Sequence, residues 1–232
     1  MNTIPFFLMY FFVYQNITSE SNSDVLLFKT LSSICFLICA FLSYKKSPTT
    51  KKYSFIIMIG LFFGLIGDIF LAPPYTETRF SIGASAFAVG HILFTIDFLT
   101  LDSFKLRELI PTVIISGSFI YFITNNSSFE LGEKLPIACI YSVIISFMFI
   151  ESLGILKFRK INSFFCYFTI LGAFLFLISD LVLTFKIFIP NPNPYFDAIN
   201  LILYYTGQGM IALSLSDTDL SSSEKSCNTS NN

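Results

Sequence analysis

The sequence predicts an all-α polytopic membrane protein, a bundle of about eight transmembrane helices with a weak internal repeat. Three observations carry that prediction. The 232 residues are 54% hydrophobic and only 12% charged, whereas soluble domains carry about 25% charge. The apolar residues fall in runs long enough to cross a bilayer. Two of those runs, GLFFGLIGDIFL and GAFLFLISDLVL, also superimpose. Laying Gly60 on Gly172 brings Ile66 onto Ile178, Asp68 onto Asp180 and Leu71 onto Leu183.

A spanning helix needs about 20 apolar residues, with a range of about 17 to 25. Seven segments meet that requirement: Val25 to Ser43, Tyr53 to Ala72, Ser81 to Thr100, Leu109 to Thr124, Leu135 to Leu153, Ser163 to Phe185 and Phe196 to Leu215. An eighth, Thr3 to Tyr14, has 12 residues and would be about 18 Å long as a helix. It is expected to span as well, stretched through Ile17 or set in locally thinned bilayer. In this count the repeat relates the third and fourth helices to the seventh and eighth. Residues 1–216 thus form a single transmembrane helical domain, and 217–232, rich in Ser and Asn, a disordered polar tail.

Cytoplasmic loops retain Lys and Arg. With the N-terminus inside, the inner regions hold Lys45, Lys46, Lys51, Lys52, Lys105, Arg107, Lys157, Arg159, Lys160 and Lys225, and the outer loops only Arg79, Lys134 and Lys186. Ten against three places both termini, and the tail, in the cytoplasm. The sequons at Asn16 and in the run Asn125-Asn126-Ser127-Ser128 then fall on the outer side, where glycosylation requires a eukaryotic secretory membrane. The host membrane is a bacterial inner membrane or a eukaryotic endoplasmic reticulum.

Composition also excludes classes of function. A net charge of -1 offers no basic field for nucleic acid. Cys35, Cys39, Cys139, Cys166 and Cys227 form no CxxC pair, and the first four lie in apolar runs, as small buried hydrophobes do. No removable signal peptide is expected, because no basic residue precedes the first apolar stretch.

An ionisable residue within a span is costly unless it is paired or faces a cavity, which makes each one a functional candidate. These are Lys29, Asp68, His91, Asp97, Glu151 and Asp180; of them Glu151 and, in part, Asp97 are near enough to the cytoplasmic edge to snorkel. Asp68 and Asp180 lie on the third and seventh helices, which run in the same direction, so the two acids sit at similar depth and can share a site. Gly60, Gly64 and Gly67 form a small-residue stripe beside Asp68, and Gly83, Ala84, Ala88 and Gly90 surround His91 on the next helix. Asn200, Tyr204 and Gln208 are spaced i, i+4, i+8, a polar stripe that needs a polar cavity to face. Simpler roles compete: either aspartate as a buried ion pair with Lys29, His91 as a hydrogen-bonded structural group, the glycines as packing, and Tyr204 and Tyr205 as interfacial anchors.

At these residues the chain resembles the YhhN-like lysoplasmalogenase family of multi-spanning membrane proteins. The likeness rests on Gly67-Asp68-Ile69-Phe70-Leu71, on Arg79-Phe80 with Gly83, Phe87 and Gly90-His91, on Gly172 to Phe176 with Ser179-Asp180, and on Tyr204-Tyr205 with Gln208. It extends from Lys29 to Leu215, departing at Lys29-Thr30, where the family typically has Lys-Pro. The resemblance implies hydrolysis of the vinyl ether bond of lysoplasmalogens to a fatty aldehyde and a glycerophospho-base, with Asp68 and Asp180 as the catalytic pair.

The residue types suit that chemistry. A vinyl ether yields to acid: protonation of the outer alkene carbon gives an oxocarbenium ion that water captures, as in two-carboxylate glycoside hydrolysis. Lys29 or Arg79 would hold the lipid phosphate, with His91, Asn200, Tyr204 and Gln208 as further substrate-binding residues. The Phe-rich helices, with 30 Phe in the chain, would accept the alkenyl tail of a lysophospholipid substrate. No metal or other cofactor is called for. The alternative is a proton-coupled transporter or lipid carrier using the same intramembrane acids.

Overall fold

The computed structural model describes residues 3–46, 51–158 and 162–216, and eight α-helices account for most of them with no strand among the described residues. They are α1 (Thr3–Thr18), α2 (Asn22–Lys46), α3 (Lys51–Phe70), α4 (Glu77–Leu101), α5 (Leu109–Asn125), α6 (Leu135–Leu153), α7 (Ser163–Phe188) and α8 (Tyr195–Ser214). The expected tail, 217–232, lies outside the described residues, as do Arg159, Lys160 and Cys227.

The protein is a multi-pass membrane protein. Five segments, Asn22–Lys45, Glu77–Leu101, Leu106–Asn125, Gly132–Phe158 and Ser163–Phe188, have the length and composition to cross a bilayer. The apolar runs Ile4–Thr18 and Phe55–Phe70 are shorter. The last helix, of 20 residues, is not among these five; it carries Asp197 and the expected polar stripe Asn200, Tyr204 and Gln208, and it packs against α1, α2, α3 and α7. Phe7, Phe11, Phe55, Phe62, Ile110, Val113 and Tyr121 are exposed, the apolar belt that hydrocarbon would cover.

Local sequence explains where helices begin. Thr76 caps α4 by accepting from the Arg79 backbone N–H at 3.2 Å, and Asn162 caps α7 by accepting from Phe165 N–H at 2.9 Å. The last turn of α3 is closed by Arg79, whose guanidinium donates to the carbonyls of Ile69 (2.7 Å) and Ala72 (3.2 Å).

Neighbour relations put α2, α3, α4, α6, α7 and α8 in a ring that closes between α8 and α2; α1 lies outside against α2 and α8, and α5 outside against α6. The chain thus passes over α5, and α4 packs on α6. Met9, Phe36, Leu61, Phe94, Phe98, Phe165, Phe176, Tyr205 and Ile211 fill the core.

The internal repeat has a physical basis in two glycine contacts. A Cβ built on Gly90 would stand 2.9 Å from the Gly60 carbonyl oxygen, and one built on Gly207 would stand 3.0 Å from that of Gly172. Each is closer than side chains tolerate, so α3 meets α4, and α7 meets α8, backbone to backbone. The pairs correspond: Gly60 and Gly172 precede their aspartates by the same interval, and Gly90-His91 answers Gly207-Gln208.

The structure departs from several expectations. Asp97 and Glu151 are buried and do not snorkel, 0% and 4% exposed, although Glu151 does lie beside Asp102, Lys105 and Glu108 at the end of the bundle. Of the simpler roles, that of Tyr204 and Tyr205 as interfacial anchors falls away, since both are buried in the core, in keeping with their place well inside the last helix. Asn16 is 4% exposed and donates to the Val25 carbonyl at 2.8 Å, so it offers no modification site, whereas Asn125 is exposed. The cysteines do follow expectation: Cys35, Cys39 and Cys166 are buried and Cys139 is half-buried.

Candidate active site

Asp68 sits in the last turn of α3 and is 1% exposed. One turn apart on α2, Lys29 and Ser33 both turn toward it. Lys29 Nζ lies 3.6 Å from Oδ1, and Ser33 Oγ donates to Oδ2 at 2.6 Å. From α8, the Tyr204 hydroxyl donates to the same Oδ2 at 2.8 Å and accepts from Gln208 Nε2 at 3.1 Å. Gly64, one turn before Asp68, makes this approach possible, because a Cβ there would stand 2.7 Å from Gln208 Nε2. Tyr205 donates to the Lys29 carbonyl at 3.1 Å and steadies α2 from behind.

Asp180, on α7, has a sparser set. The Tyr141 hydroxyl of α6 donates to Oδ2 at 2.7 Å, and His91 Nε2 of α4 lies 2.9 Å from that hydroxyl and 3.8 Å from the carboxylate. Since the tyrosine proton is spent on Asp180, its oxygen accepts from a protonated Nε2. His91 Nδ1, buried against Phe94 and Phe176, has no hydrogen-bond partner, which fits the neutral Nε2–H tautomer.

Both carboxyl groups line one cavity of about 410 Å³ at the end of the bundle where α4 begins. Its interior includes Lys29, Tyr204 and Asn200, whose amide donates to the Ser179 carbonyl at 2.8 Å. Tyr75, Glu77, Lys134 and Lys186 also line it, together with apolar residues such as Phe70 and Leu201. A second cavity, about 500 Å³ and almost wholly apolar, lies among α4, α5, α6 and α7 and takes in Ile115, Phe119, Phe122, Ile145 and Leu181. The two share Leu71, Phe80, Phe87, Asp180, Leu183 and Ile187. Asp180 therefore stands at the junction of a chamber lined by charged and polar groups as well as apolar ones, called the polar chamber below, and an almost wholly apolar one.

The fold brings together Asp68, Asp180, Lys29, Asn200 and Tyr204 from the residues singled out by sequence. His91 and Gln208 are adjacent but do not line the polar cavity; each lies behind a tyrosine that touches an acid. Arg79 does not line it either, being engaged with the end of α3. The bland pairing of Lys29 with Asp68 is present, yet it is part of a cavity wall. Sequence reasoning passed over Ser33, Tyr141, Lys134 and Lys186. Ser33 was readable as the i+4 neighbour of Lys29, and Tyr141 as a lone polar tip inside an apolar helix.

Among the described residues no cluster of His, Cys, Asp or Glu has the makings of a metal site. The YhhN family's sequence model matches residues 25–215, the span that contains both aspartates and all of their partners. The chain belongs to the YhhN family. Among the relatives of this YhhN-family chain is the protein named Lysoplasmalogenase TMEM86A from Bos taurus, 30% identical over 221 residues, covering 91% of this chain and 87% of the relative. Another, named Lysoplasmalogenase homolog, from Dictyostelium discoideum, is 29% identical over 204 residues, covering 74% of this chain and 65% of the relative. No solved structure matches the chain.

Proposed function

We propose that the protein hydrolyses the vinyl ether bond of 1-alkenyl lysophospholipids, releasing a fatty aldehyde and a glycerophospho-base. The observation that carries this reading is the position of Asp180 where the polar and apolar cavities meet. In such a lipid the ether oxygen marks the same boundary, with glycerol and phosphate on one side and hydrocarbon on the other. A molecule lying across both cavities presents that bond to Asp180, with Asp68 across the same polar chamber. The names of the two relatives agree with this substrate.

The two environments suggest distinct roles. The charge on Asp68 is compensated by Lys29 and held by Ser33 and Tyr204, the surroundings of a carboxylate. Asp180 has one neutral tyrosine donor and faces the apolar chamber, where the alkene would lie. Asp180 then gives its proton to the outer alkene carbon, and the positive charge settles on the ether-bearing carbon and oxygen. Water adds to that carbon and passes a proton to Asp68. The resulting hemiacetal breaks its bond to the glycerol oxygen; its hydroxyl proton ends on that oxygen and the aldehyde is freed. Transfer of the proton on Asp68 back to Asp180 across the shared chamber restores both groups. By the distribution of basic residues, both termini are cytoplasmic and this chamber opens on the opposite side.

The test is aldehyde release by the purified protein in a lipid environment, from a 1-alkenyl lysophospholipid with the 1-acyl analogue as control. The expected result is release from the alkenyl lipid alone, reduced by about 10² or more in Asp68→Asn and in Asp180→Asn. Both variants should elute and melt as folded protein. No aldehyde from the wild type, or wild-type rates in both variants, would overturn the assignment and favour transport through the same acids.

A further inference from the structure

Three lysines line the polar cavity: Lys29, Lys134 and Lys186. Two are neutralised within the protein, Lys29 by Asp68 and Lys186 by a hydrogen-bonded ion pair with Asp197. Lys134 has no carboxylate within ion-pair distance among the described residues. Its ammonium instead stands 5.6 Å above the centroid of the Phe80 ring. Phe80 is one of the residues shared by the two cavities, so this cation is held near their junction, on the polar side. Lys134 is also the residue from which α6 starts, and no side chain caps the first turn of that helix. The N-terminal end of the α6 dipole adds partial positive charge beside the ammonium.

We propose that Lys134 is the anchor for an anionic phosphate and makes the cavity selective for phosphate-bearing single-chain lipids over uncharged ones. The inference deepens the reading above and rests on its premise that an amphiphile lies across both cavities. In such a lipid the phosphate is separated from the chain by the glycerol alone. A phosphate on Lys134 and a tail in the apolar chamber therefore leave the glycerol linkage beside Asp180. Lys29 is not available for this task, because drawing it to a phosphate would strip Asp68 of its counter-charge.

The experiment compares 1-alkenyl lysophospholipid with 1-alkenyl glycerol, which lacks the phosphate, on the wild type, Lys134→Gln and Lys134→Arg. Lys134→Gln should raise KM for the phospholipid by about tenfold, the loss of one charged contact. Its kcat should stay within about twofold and its KM for the alkenyl glycerol should be unchanged. Lys134→Arg, which keeps the charge and the ring contact, should restore the wild-type KM. Equal KM changes for both lipids, no change at all, or failure of Arg to rescue would each overturn the proposal. Competition binding with 1-alkyl lysophospholipid and 1-alkyl glycerol, which cannot be hydrolysed by this route, separates the two readings. Phosphate-selective binding that needs Lys134, without aldehyde release, refutes the hydrolase and keeps the anchor. Aldehyde release without phosphate selectivity refutes the anchor alone.

Discussion

Asp68 and Asp180 are supported by the same device used twice, crosswise. Each accepts from a tyrosine, and each tyrosine accepts from a nitrogen donor: Gln208 to Tyr204 to Asp68, and His91 to Tyr141 to Asp180. His91 and Gln208 follow the corresponding glycines Gly90 and Gly207, so the second helix of each repeat serves the acid on the first helix of the other. The environments part at the helix that precedes each pair: α2 supplies Lys29 and Ser33 to Asp68, whereas α6 supplies Tyr141 to Asp180, and Tyr141 precedes Asp180 by the same interval as Lys29 precedes Asp68. Repetition built a matched pair of carboxylates; the different residues on α2 and α6 made them chemically unlike. Acid catalysis by two carboxylates requires such inequality, since one must carry a proton when the other does not.

Removing the source of inequality should have the largest effect. Lys29→Met leaves Asp68 buried without its cation, a change that costs about 3 kcal/mol or more. A marked fall in melting temperature is expected, largely recovered in the double variant Lys29→Met/Asp68→Asn. If the single variant melts with the wild type, the pair does not hold Asp68 and the contrast drawn above is lost.

A smaller effect should distinguish the tyrosines. Tyr141→Phe removes the single tyrosine donor of Asp180, whereas Tyr204→Phe leaves Asp68 with Ser33 and Lys29. Tyr141 steadies the carboxylate that Asp180 becomes as it gives up its proton, and a hydrogen bond to such a charged group is worth about 1.5 to 3 kcal/mol, so Tyr141→Phe should lower kcat by about tenfold or more. Tyr204→Phe should cost less. The reverse order, read from steady-state kinetics of aldehyde release, would reassign which acid depends on its tyrosine.

The smallest effect tests the equivalence of the two halves. Gly90→Ala and Gly207→Ala each force a methyl against a facing backbone carbonyl, at 2.9 and 3.0 Å, and each should destabilise by about 1 kcal/mol. Gly117→Ala on α5, where nothing lies within 4 Å of a new Cβ, should be neutral or slightly stabilising. Unequal losses at Gly90 and Gly207 in denaturation would show that the halves have diverged in packing as well as in charge.

The helices and both acids were legible in the sequence because a charge inside an apolar run stands out against the cost of placing it there. The glycine stripe beside Asp68 was legible for a similar reason, being a local pattern on one helix face. The role of Tyr141 was not. Its ring suits lipid, core or site equally, and only the packing of α4 on α6, across a gap of one helix, brings it to His91 and Asp180. Arg79 misled for the opposite reason: its charge advertised a ligand, while its reach back to the end of α3 is a matter of tertiary geometry. Lys134 lies in a connection, where charge is ordinary and sequence alone gives it no distinction.

On the proposed reading, the division of the interior into two chambers also governs the fate of the products. Cut at the junction, the lipid ceases to be an amphiphile: the aldehyde is left where only hydrocarbon is welcome, and the glycerophospho-base where water is. One partitions into the bilayer and the other into solution, so that recombination would require both to re-enter from different phases, and the membrane itself makes the reaction one-way.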